Sequence, residues 1–355
     1  MTQTMSPLNS LIRESKVIIS TGSGGVGKTT VAAAIGLKAA QMGFKTCVLT
    51  IDPAKRLASA LGIDNLTNKP IQIDVNAKGE LWALMLDSQS TFNDLIKTYS
   101  STVTQAEKIY NNKLYQSLTS SLGGTQEYMA AEKLFELVND TRFDLIVVDT
   151  PPSRNALDFL HGPQRLAKFL ENKVFRLLMV PTRTYLKAVS YATQSLLKTI
   201  AKVAGSELVN DAIEFFRAFD GMERGFAERA SLVKQLLEQD TTSFVVVSSP
   251  LKNSTEEASY FFDELKKLNV NVKGLIINKI HPHFIDDKLI ENLNDTSEIK
   301  DLVANLVNLE NIAKREDRYV SDLTARVGDG FMQRIPLLNA DVHDIATLEI
   351  LASKF

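Results

Sequence analysis

The sequence predicts an α/β fold in which helices cover a parallel β-sheet and a helical subdomain is inserted into the sheet domain. Six short runs rich in Val, Ile and Leu alternate with longer amphipathic patterns along the 355 residues. Near-continuous apolar runs are typical of strands that helices cover on both faces, which is the setting of a parallel sheet. Two long helical stretches that contain no clear strand indicate the insertion.

The six predicted strands are KVIIS at 16–20, KTCVLTI at 45–51, LWALML at 81–86, FDLIVVD at 143–149, SFVVVSS at 243–249 and VKGLIIN at 272–278. Helical segments of crossover length are predicted between strands, for example over 29–42 and over 253–268. The second of these opens on NSTEEA, whose cap-type residues and acids are typical of a helix start. Strands that alternate with helices in this way favour parallel pairing.

The insertion is indicated by the gap of about ninety residues between the strand that ends near Asp149 and the one that begins near Ser243. Apolar residues recur at helical spacing over 184–204 and 221–239 within this gap. We therefore predict one domain over 1–355. Its sheet-containing core comprises approximately residues 16–87, 141–160 and 241–355, and its helical subdomain approximately 88–140 and 161–240.

Composition excludes several classes of function. The formal charge is −2, which provides no net basic field for nucleic acid, so no nucleic-acid partner is expected. Cys47 is the single cysteine, so no CxxC zinc or iron–sulfur site is expected within one chain. We expect Cys47 to be a buried residue of its strand. The start of the chain lacks an apolar signal region and no run approaches the length of a membrane span, so we expect a cytoplasmic protein.

The segment STGSGGVGKTT, residues 20–30, carries the strongest chemical signal. From Gly22 it fits the pattern G-x-x-x-x-G-K-[ST], between a predicted strand and a predicted helix. Glycines let backbone N–H groups converge on phosphate oxygens, and the helix directs its positive end at the same anion. Lys28 can reach the β- and γ-phosphates and the Thr29 hydroxyl can bind Mg²⁺. The predicted nucleotide-binding residues of this P-loop are Gly22, Ser23, Gly24, Gly25, Val26, Gly27, Lys28, Thr29 and Thr30.

Two aspartates end predicted strands. Asp149 follows a buried apolar run, where an unpaired carboxylate is costly unless a metal or hydrogen bonds compensate it. This predicts a Walker-B acid that holds Mg²⁺ directly or through water. Asp52 ends the strand CVLTI, so it faces the same crevice and could orient the attacking water or the metal. The alternative for Asp52 is a helix N-cap with Pro53 at the first helical position.

Together these segments resemble the ArsA-like ATPases, which include the bacterial arsenical-pump ATPase and the eukaryotic targeting factor for tail-anchored membrane proteins. The matching segments are TGSGGVGKTT, TIDPAKRLASAL, GGTQEYMAAEKLFEL at 123–137, VVDTPPSRNALDFL, IINK and RIPLLNADVHD. Their order and spacing cover the chain from about residue 16 to residue 350.

The resemblance implies a P-loop ATPase that requires Mg²⁺. It implies that Asp52 acts on the water or the metal, that Asn278 reads the adenine and that Pro336 borders the base. Lys28, Thr29 and Thr30 would hold phosphates and Mg²⁺, with Asp149 as the Walker-B acid. The helical subdomain of such proteins handles a client or partner, which here implies a hydrophobic client or a membrane-protein partner. In the targeting branch two subunits pair across their nucleotides, so a homodimer is expected.

Ser23 departs from the family pattern, because the KGGVGKT loop of the family has a lysine there that reaches the partner subunit's phosphates. A serine cannot supply that charge, yet the charge on the transferring phosphoryl group must still be neutralised. We hypothesise that Lys55, Arg56 or Arg154 supplies it, in cis or across a dimer. The alternative is that these three residues are solvated surface charges.

Other features concern the cargo. A lone cysteine disfavours both a thiol site for arsenite and the CxxC zinc site of the targeting branch. The HPHF segment at 281–284 is interpreted as a loop, because a metal site usually needs more ligands. Residues 174–181 and 208–222 are dense in Leu, Met and Phe, which suits either an adaptable client groove or the core of a helical bundle.

A positioning switch of the ParA and MinD type is the alternative function, in which ATP controls dimerisation on DNA or a membrane. The sequence shows neither a basic run nor a terminal amphipathic helix rich in Lys or Arg. A small-molecule kinase or ligase is disfavoured by GGTQEYMAAEKLFEL and by the long helical insertion. The ATPase coupled to a partner therefore remains the first hypothesis.

Overall fold

The computed structural model describes residues 6–52, 55–113, 115–116, 125–151, 162, 211, 214–215, 217–268, 270, 272–284, 300–328 and 330–355. The chain forms two compact units. One comprises Met1–Met85, Glu136–Leu157 and Glu238–Phe355, and the other Leu86–Phe135 and Asp158–Leu237. Arg154, the helix predicted over 184–204 and the apolar segment 174–181 lie outside the described residues.

The first unit contains an eight-stranded sheet in the order β3-β4-β2-β5-β1-β6-β7-β8. Its strands are β1 Val17–Gly22, β2 Lys45–Thr50, β3 Ile71–Ile73, β4 Glu80–Met85, β5 Leu145–Asp149, β6 Thr242–Ser248, β7 Val272–Ile280 and β8 Phe331–Pro336. Every neighbouring pair is parallel except β3 and β4, which are antiparallel. The predicted α/β fold is confirmed, and all six predicted strands are present.

The two strands that the sequence did not predict lie at the edges of the sheet. β3 has only three residues, too few to show an alternating pattern, and its antiparallel pairing is the one exception in the otherwise parallel sheet. β8 has the sequence FMQRIP, and most of its residues are only partly buried. An edge strand is covered less completely than a central one, so its sequence lacks the continuous apolar run that identified the others.

Ten helices are described. They are α1 Pro7–Glu14, α2 Lys28–Gln41, α3 Arg56–Ala60, α4 Ser88–Tyr99, α5 Val103–Tyr110, α6 Thr125–Val138, α7 Glu223–Glu238, α8 Lys252–Lys267, α9 Lys300–Thr324 and α10 Ile345–Ala352. The helices predicted over 29–42, 221–239 and 253–268 correspond to α2, α7 and α8. The sequence did not predict α9, which is polar overall and buries few apolar residues.

The predicted start of α8 was wrong in detail. Its N-cap position is Leu251, which provides no side-chain cap, and no acid lies in the first turn. The helix begins one residue earlier than predicted, so Glu256 and Glu257 fall in the second turn. Thr255 donates its hydroxyl hydrogen back to the carbonyl of Lys252 at 2.9 Å instead of capping the helix.

Helix α2 packs closely on the centre of the sheet. Its alanines Ala32, Ala33 and Ala34 are fully buried, and it contacts β2 and β5. Gly36 marks the tightest point, since a Cβ atom there would lie 2.5 Å from Cγ2 of Val48 on β2. This close packing fixes the beginning of α2 against the carboxyl ends of the central strands.

The second unit has an aromatic core. Phe226 on α7 lies near Phe92, Tyr99 and Phe219, with ring centroids 6.3, 5.3 and 4.9 Å away. Within the apolar segment 208–222, the described side chains of Phe215, Phe219 and Met222 are all buried, at 5%, 4% and 1% exposure. These three residues therefore belong to the core of the unit. In the described part of the chain, no helix combines the length and apolarity needed to cross a membrane.

We predict that Gly36→Ala lowers the free energy of unfolding by about 1–2 kcal/mol. The added methyl group overpacks the contact with Val48, a stiff β-branched residue, and this outweighs the gain of roughly 1 kcal/mol in helix propensity. Urea denaturation measures the change. In a Val48→Ala background the same substitution should cost less, so a cycle showing purely additive effects would contradict the packing argument.

Candidate functional site

The loop between β1 and α2 depends on its glycines. Gly22, Gly25 and Gly27 have φ angles of 152°, 78° and 91°. A Cβ atom on Gly22 would lie 2.0 Å from the carbonyl oxygen of Val247, and one on Gly27 would lie 2.4 Å from Nδ2 of Asn278. A Cβ on Gly25 would meet no atom within 4 Å. The loop is thus pressed against β6 and β7 on one side, while at Gly25 its backbone borders open space.

That open space belongs to a cavity of about 760 Å³, within the usual range for small-molecule sites. Its lining brings together most of the predicted site residues. They are Gly25, Gly27, Lys28, Thr29 and Thr30 of the loop and α2, Asp52, Lys55 and Arg56 after β2, and Asn278 and Pro336 from β7 and β8. Gly22, Ser23, Gly24 and Val26 belong to the loop but do not line the cavity.

Lys28 is buried, and its ammonium donates a hydrogen bond of 2.7 Å to the carbonyl oxygen of Ser23. Burial lowers the pKa of Lys28 to about 8, against the opposing charges of Asp149 and Asp52. Loss of hydration is the largest influence on this amine, so an anion placed in the cavity would stabilise its charged form. Ser23 itself presents only a backbone carbonyl to Lys28, and its buried hydroxyl has no hydrogen-bond partner among the described residues.

Asp149 is fully buried at the end of β5. Its Oδ2 accepts a 2.9 Å hydrogen bond from the Thr50 hydroxyl, whereas its Oδ1 has no hydrogen-bond partner within the described part of the chain. Burial raises the pKa of Asp149 to about 6, although hydrogen bonds from Thr29 and Thr50 and the charge of Lys28 oppose the shift. An ionised oxygen without a partner is expensive in such surroundings. A hard cation such as Mg²⁺, which prefers oxygen ligands, fits this carboxylate and the neighbouring Thr29 hydroxyl.

Asp52 lies beyond the end of β2 and is 8% exposed. Its Oδ2 is 3.4 Å from Nη1 of Arg56, which is the first residue of α3. Lys55 occupies the N-cap position of that helix, so Asp52 does not cap α3, and the alternative for Asp52 was wrong. The carboxylate instead lines the cavity together with the exposed side chains of Lys55 and Arg56.

Asn278 ties β7 to the P-loop. Its Nδ2 donates a 2.9 Å hydrogen bond to the carbonyl oxygen of Val26, and its Oδ1 accepts one of 3.0 Å from the backbone N–H of Lys279. The side chain therefore supports the loop directly, and its role in reading adenine stays a prediction. Pro336 ends β8 and lines the cavity, and its position beside a base stays a prediction.

Lys279 also lines the cavity and was missed by the sequence analysis. Its ammonium lies 3.4 Å from the carbonyl oxygen of Gly25. In the sequence, Lys279 directly follows Asn278 in IINK. Because neighbouring residues on a strand are expected to point to opposite faces, this position did not indicate that both side chains reach the cavity.

The two histidines of HPHF lie in the loop after β7, as expected. The ring of His281 is 2.7 Å from a carboxylate oxygen of Glu316, and the ring of His283 is 2.9 Å from Glu310 and from Asp317. Each imidazole is thus held by acids of α9. Among the described residues, no group of three or more His, Cys, Asp or Glu side chains is arranged so that it could hold a metal ion. Cys47 is fully buried in β2, as predicted.

Comparison with known proteins identifies the family. The profile of the anion-transporting ATPase family, ArsA_ATPase, matches residues 15–355. The chain belongs to this family. Nucleotide binding and ATPase activity follow from the membership, and the resemblance to ArsA-like ATPases is confirmed.

Three relatives illustrate the range of the family. A protein of Aquifex aeolicus provisionally named arsenical pump-driving ATPase 1 is 23% identical over 345 residues, covering 95% of this chain and 78% of the relative. The ATPase ASNA1 homolog of Plasmodium berghei is 24% identical over 95% of this chain and 86% of its own length. ATPase GET3B of Arabidopsis thaliana is 23% identical over 99% of this chain and 81% of its own length.

We predict that Asp149→Asn increases the free energy of unfolding above pH 6 in the absence of nucleotide. The pKa of Asp149 rises from 3.8 to about 6 on folding, so its ionised form destabilises the fold above pH 6 and this penalty disappears below pH 3.8. The variant should gain roughly 1–3 kcal/mol at pH 7.5, and the gain should shrink as the pH falls toward 4.

Chemical denaturation over pH 4–8 checks this expectation. Asp64→Asn is the matched control, because Asp64 is an exposed aspartate of the same unit. A pH-independent difference between Asp149→Asn and the native chain would show that the carboxylate is not strained by burial.

Proposed function

We propose that this protein hydrolyses ATP in a Mg²⁺-dependent reaction at the P-loop cavity, and that hydrolysis cycles a homodimer between open and closed states coupled to a protein or membrane-protein partner. The observation that carries the hydrolysis proposal is the buried Oδ1 of Asp149, which lacks a hydrogen-bond partner among the described residues beside a buried ammonium and a glycine loop. A metal-bound triphosphate would compensate both buried charges at once.

The role that we propose for each residue follows from its position in the site. Backbone N–H groups of the loop and the beginning of α2 bind phosphate oxygens, and Lys28 exchanges its carbonyl partner for them. Thr29 and Asp149 would hold Mg²⁺, which supplies positive charge to the phosphates when bound. Asp52 would orient the attacking water, since its carboxylate borders the cavity and is positioned by Arg56.

The charge that Ser23 does not supply still needs a source. Arg56 is favoured by its place in the lining, 3.4 Å from Asp52, and Lys55 lines the same cavity. Arg154 stays a prediction from the sequence. Because positioned cations stabilise charge on a transferring phosphoryl group, any of the three would act on kcat more than on stability.

We predict Mg²⁺-dependent ATP turnover by the purified chain, and loss of at least about 100-fold in kcat for Lys28→Ala and for Asp52→Asn. Release of inorganic phosphate measures the rate. Lys38→Ala serves as the control, since Lys38 lies on the same helix outside the cavity lining and its loss should leave turnover unchanged.

The same assay tests the three basic residues. Lys55→Ala, Arg56→Ala and Arg154→Ala are measured separately, with expected losses of about 10-fold or more for the residue that neutralises the phosphoryl group. Full turnover in all three variants would exclude each of them from this role. Absence of turnover in the native chain, with Mg·ATP bound normally, would contradict the hydrolysis proposal itself.

The proposed homodimer and its partner are supported by the relatives and by the family resemblance. Relatives named as pump-driving and ASNA1 or GET3 ATPases suggest that turnover serves a second protein, and the helical unit is the part of the chain that the resemblance associates with a client. The buried Phe215, Phe219 and Met222 do not supply that surface, because they form the unit's own core.

We predict that Mg·ATP converts the Asp52→Asn variant from monomer to dimer, because blocked hydrolysis retains the nucleotide that bridges the subunits. Light scattering after size exclusion, with and without Mg·ATP, measures the mass. Lys28→Ala should remain monomeric under both conditions. A mass unaffected by nucleotide would contradict the cycling dimer, and ATP-dependent binding to DNA or anionic vesicles would support the positioning switch instead.

A further inference from the structure

The parallel pairing of β7 with β8 is irregular where β7 meets the P-loop. Ile277 pairs with Arg334 and Ile280 pairs with Pro336, so β7 takes three steps where β8 takes two. β7 therefore carries one extra residue, a β-bulge at positions 278–279. Lys279 has a φ of 64°, which makes it the single non-glycine residue with positive φ in the described ranges.

The bulge changes the direction of a side chain. Consecutive side chains of a regular strand point to opposite faces. Here Asn278 and Lys279 both reach the P-loop, with Nδ2 of Asn278 2.9 Å from the carbonyl oxygen of Val26 and Nζ of Lys279 3.4 Å from that of Gly25. The bulge and the left-handed backbone thus bring a second ammonium to the loop.

The left-handed conformation costs free energy for a lysine, and burial does not explain it, because Lys279 is exposed. Its contact with Gly25 is long for an N–H···O hydrogen bond. No carboxylate of the described chain lies within ion-pair distance of its ammonium. Lys279 is therefore an exposed ammonium beside the point where the backbone of Gly25 borders the cavity.

Lys55 is likewise an exposed cation of the cavity, and the remaining two differ from Lys279. Lys28 is buried and bound to Ser23, and Arg56 is paired with Asp52. Lys279 can turn from a neutral carbonyl toward an anion without breaking an ion pair.

We propose that Lys279 is a second phosphate-binding ammonium of this ATP site, supplied in cis by the bulge of β7. The proposal rests on the proposed function, because it assigns a residue to the same nucleotide. It adds a source of positive charge that does not require a partner subunit.

Lys279→Asn tests the proposal, because asparagine tolerates positive φ and removes the charge. Calorimetry compares Mg·ATP, Mg·ADP and adenosine. We expect Mg·ATP to bind about 10-fold more weakly, Mg·ADP to lose less and adenosine to be unchanged, while Lys279→Arg stays within about 3-fold of the native chain. Lys273→Asn is the matched control, since Lys273 is an exposed lysine on the same strand outside the cavity lining.

Lys279→Gly provides a second variant that relieves the backbone strain, and its thermal midpoint reports folding. Equal losses for Mg·ATP and adenosine would overturn the proposal, because they would place Lys279 at the base or in the framework of the site. Unchanged affinity for Mg·ATP in both charge-removing variants would overturn it as well. A native chain that binds no Mg·ATP would instead contradict the proposed function.

Discussion

The complete burial of the Asp149 carboxylate is the constraint on which the rest of the site depends, because burial destabilises its ionised form. One carboxylate oxygen accepts from Thr50, and the other has no hydrogen-bond partner among the described residues. The raised pKa of Asp149 and the lowered pKa of Lys28 have the same main cause, since burial destabilises the charged form of each group. The opposite charge of the other group offsets this effect only in part. A site in this condition gains from binding a cation and an anion together, which is the chemistry of a metal-bound polyphosphate.

The sheet makes this constraint possible by aligning three strand ends. Thr50 on β2 and Ser20 on β1 are both in register with Asp149 on β5. Because the three strands are parallel, the P-loop, Asp149 and Asp52 lie at the same edge of the sheet. The close packing of α2 through Gly36 then fixes Lys28 over that edge. The site therefore depends on the order of the strands in the sheet as well as on the residues of the loop motif.

Positive charge around the cavity comes in distinct environments. Lys28 is buried beneath the loop, Arg56 is paired with an acid, and Lys279 is exposed at a bulge. Under the proposed function, such an arrangement would let one residue bind the phosphates and another neutralise charge during transfer. It also offers a physical account of how a loop with serine at position 23 can serve an ATPase, without assigning the whole task to one residue.

The sequence by itself determined the α/β class, the six covered strands and the glycine loop, and it indicated Lys28, Asp52 and Asp149 as candidate site residues. These features are local, because each is visible in a contiguous stretch of sequence: an apolar run, the residue that ends a strand, or the glycine motif. Only the tertiary structure decided the edge strands β3 and β8, the use of Asn278 as a support for the loop, and the direction of Lys279. Asn278 and Val26 are 252 residues apart in the chain, and a bulge that reverses a side chain is produced by pairing with a neighbouring strand. Interactions of this kind leave no periodic pattern in the sequence, because they depend on where the fold brings distant segments together.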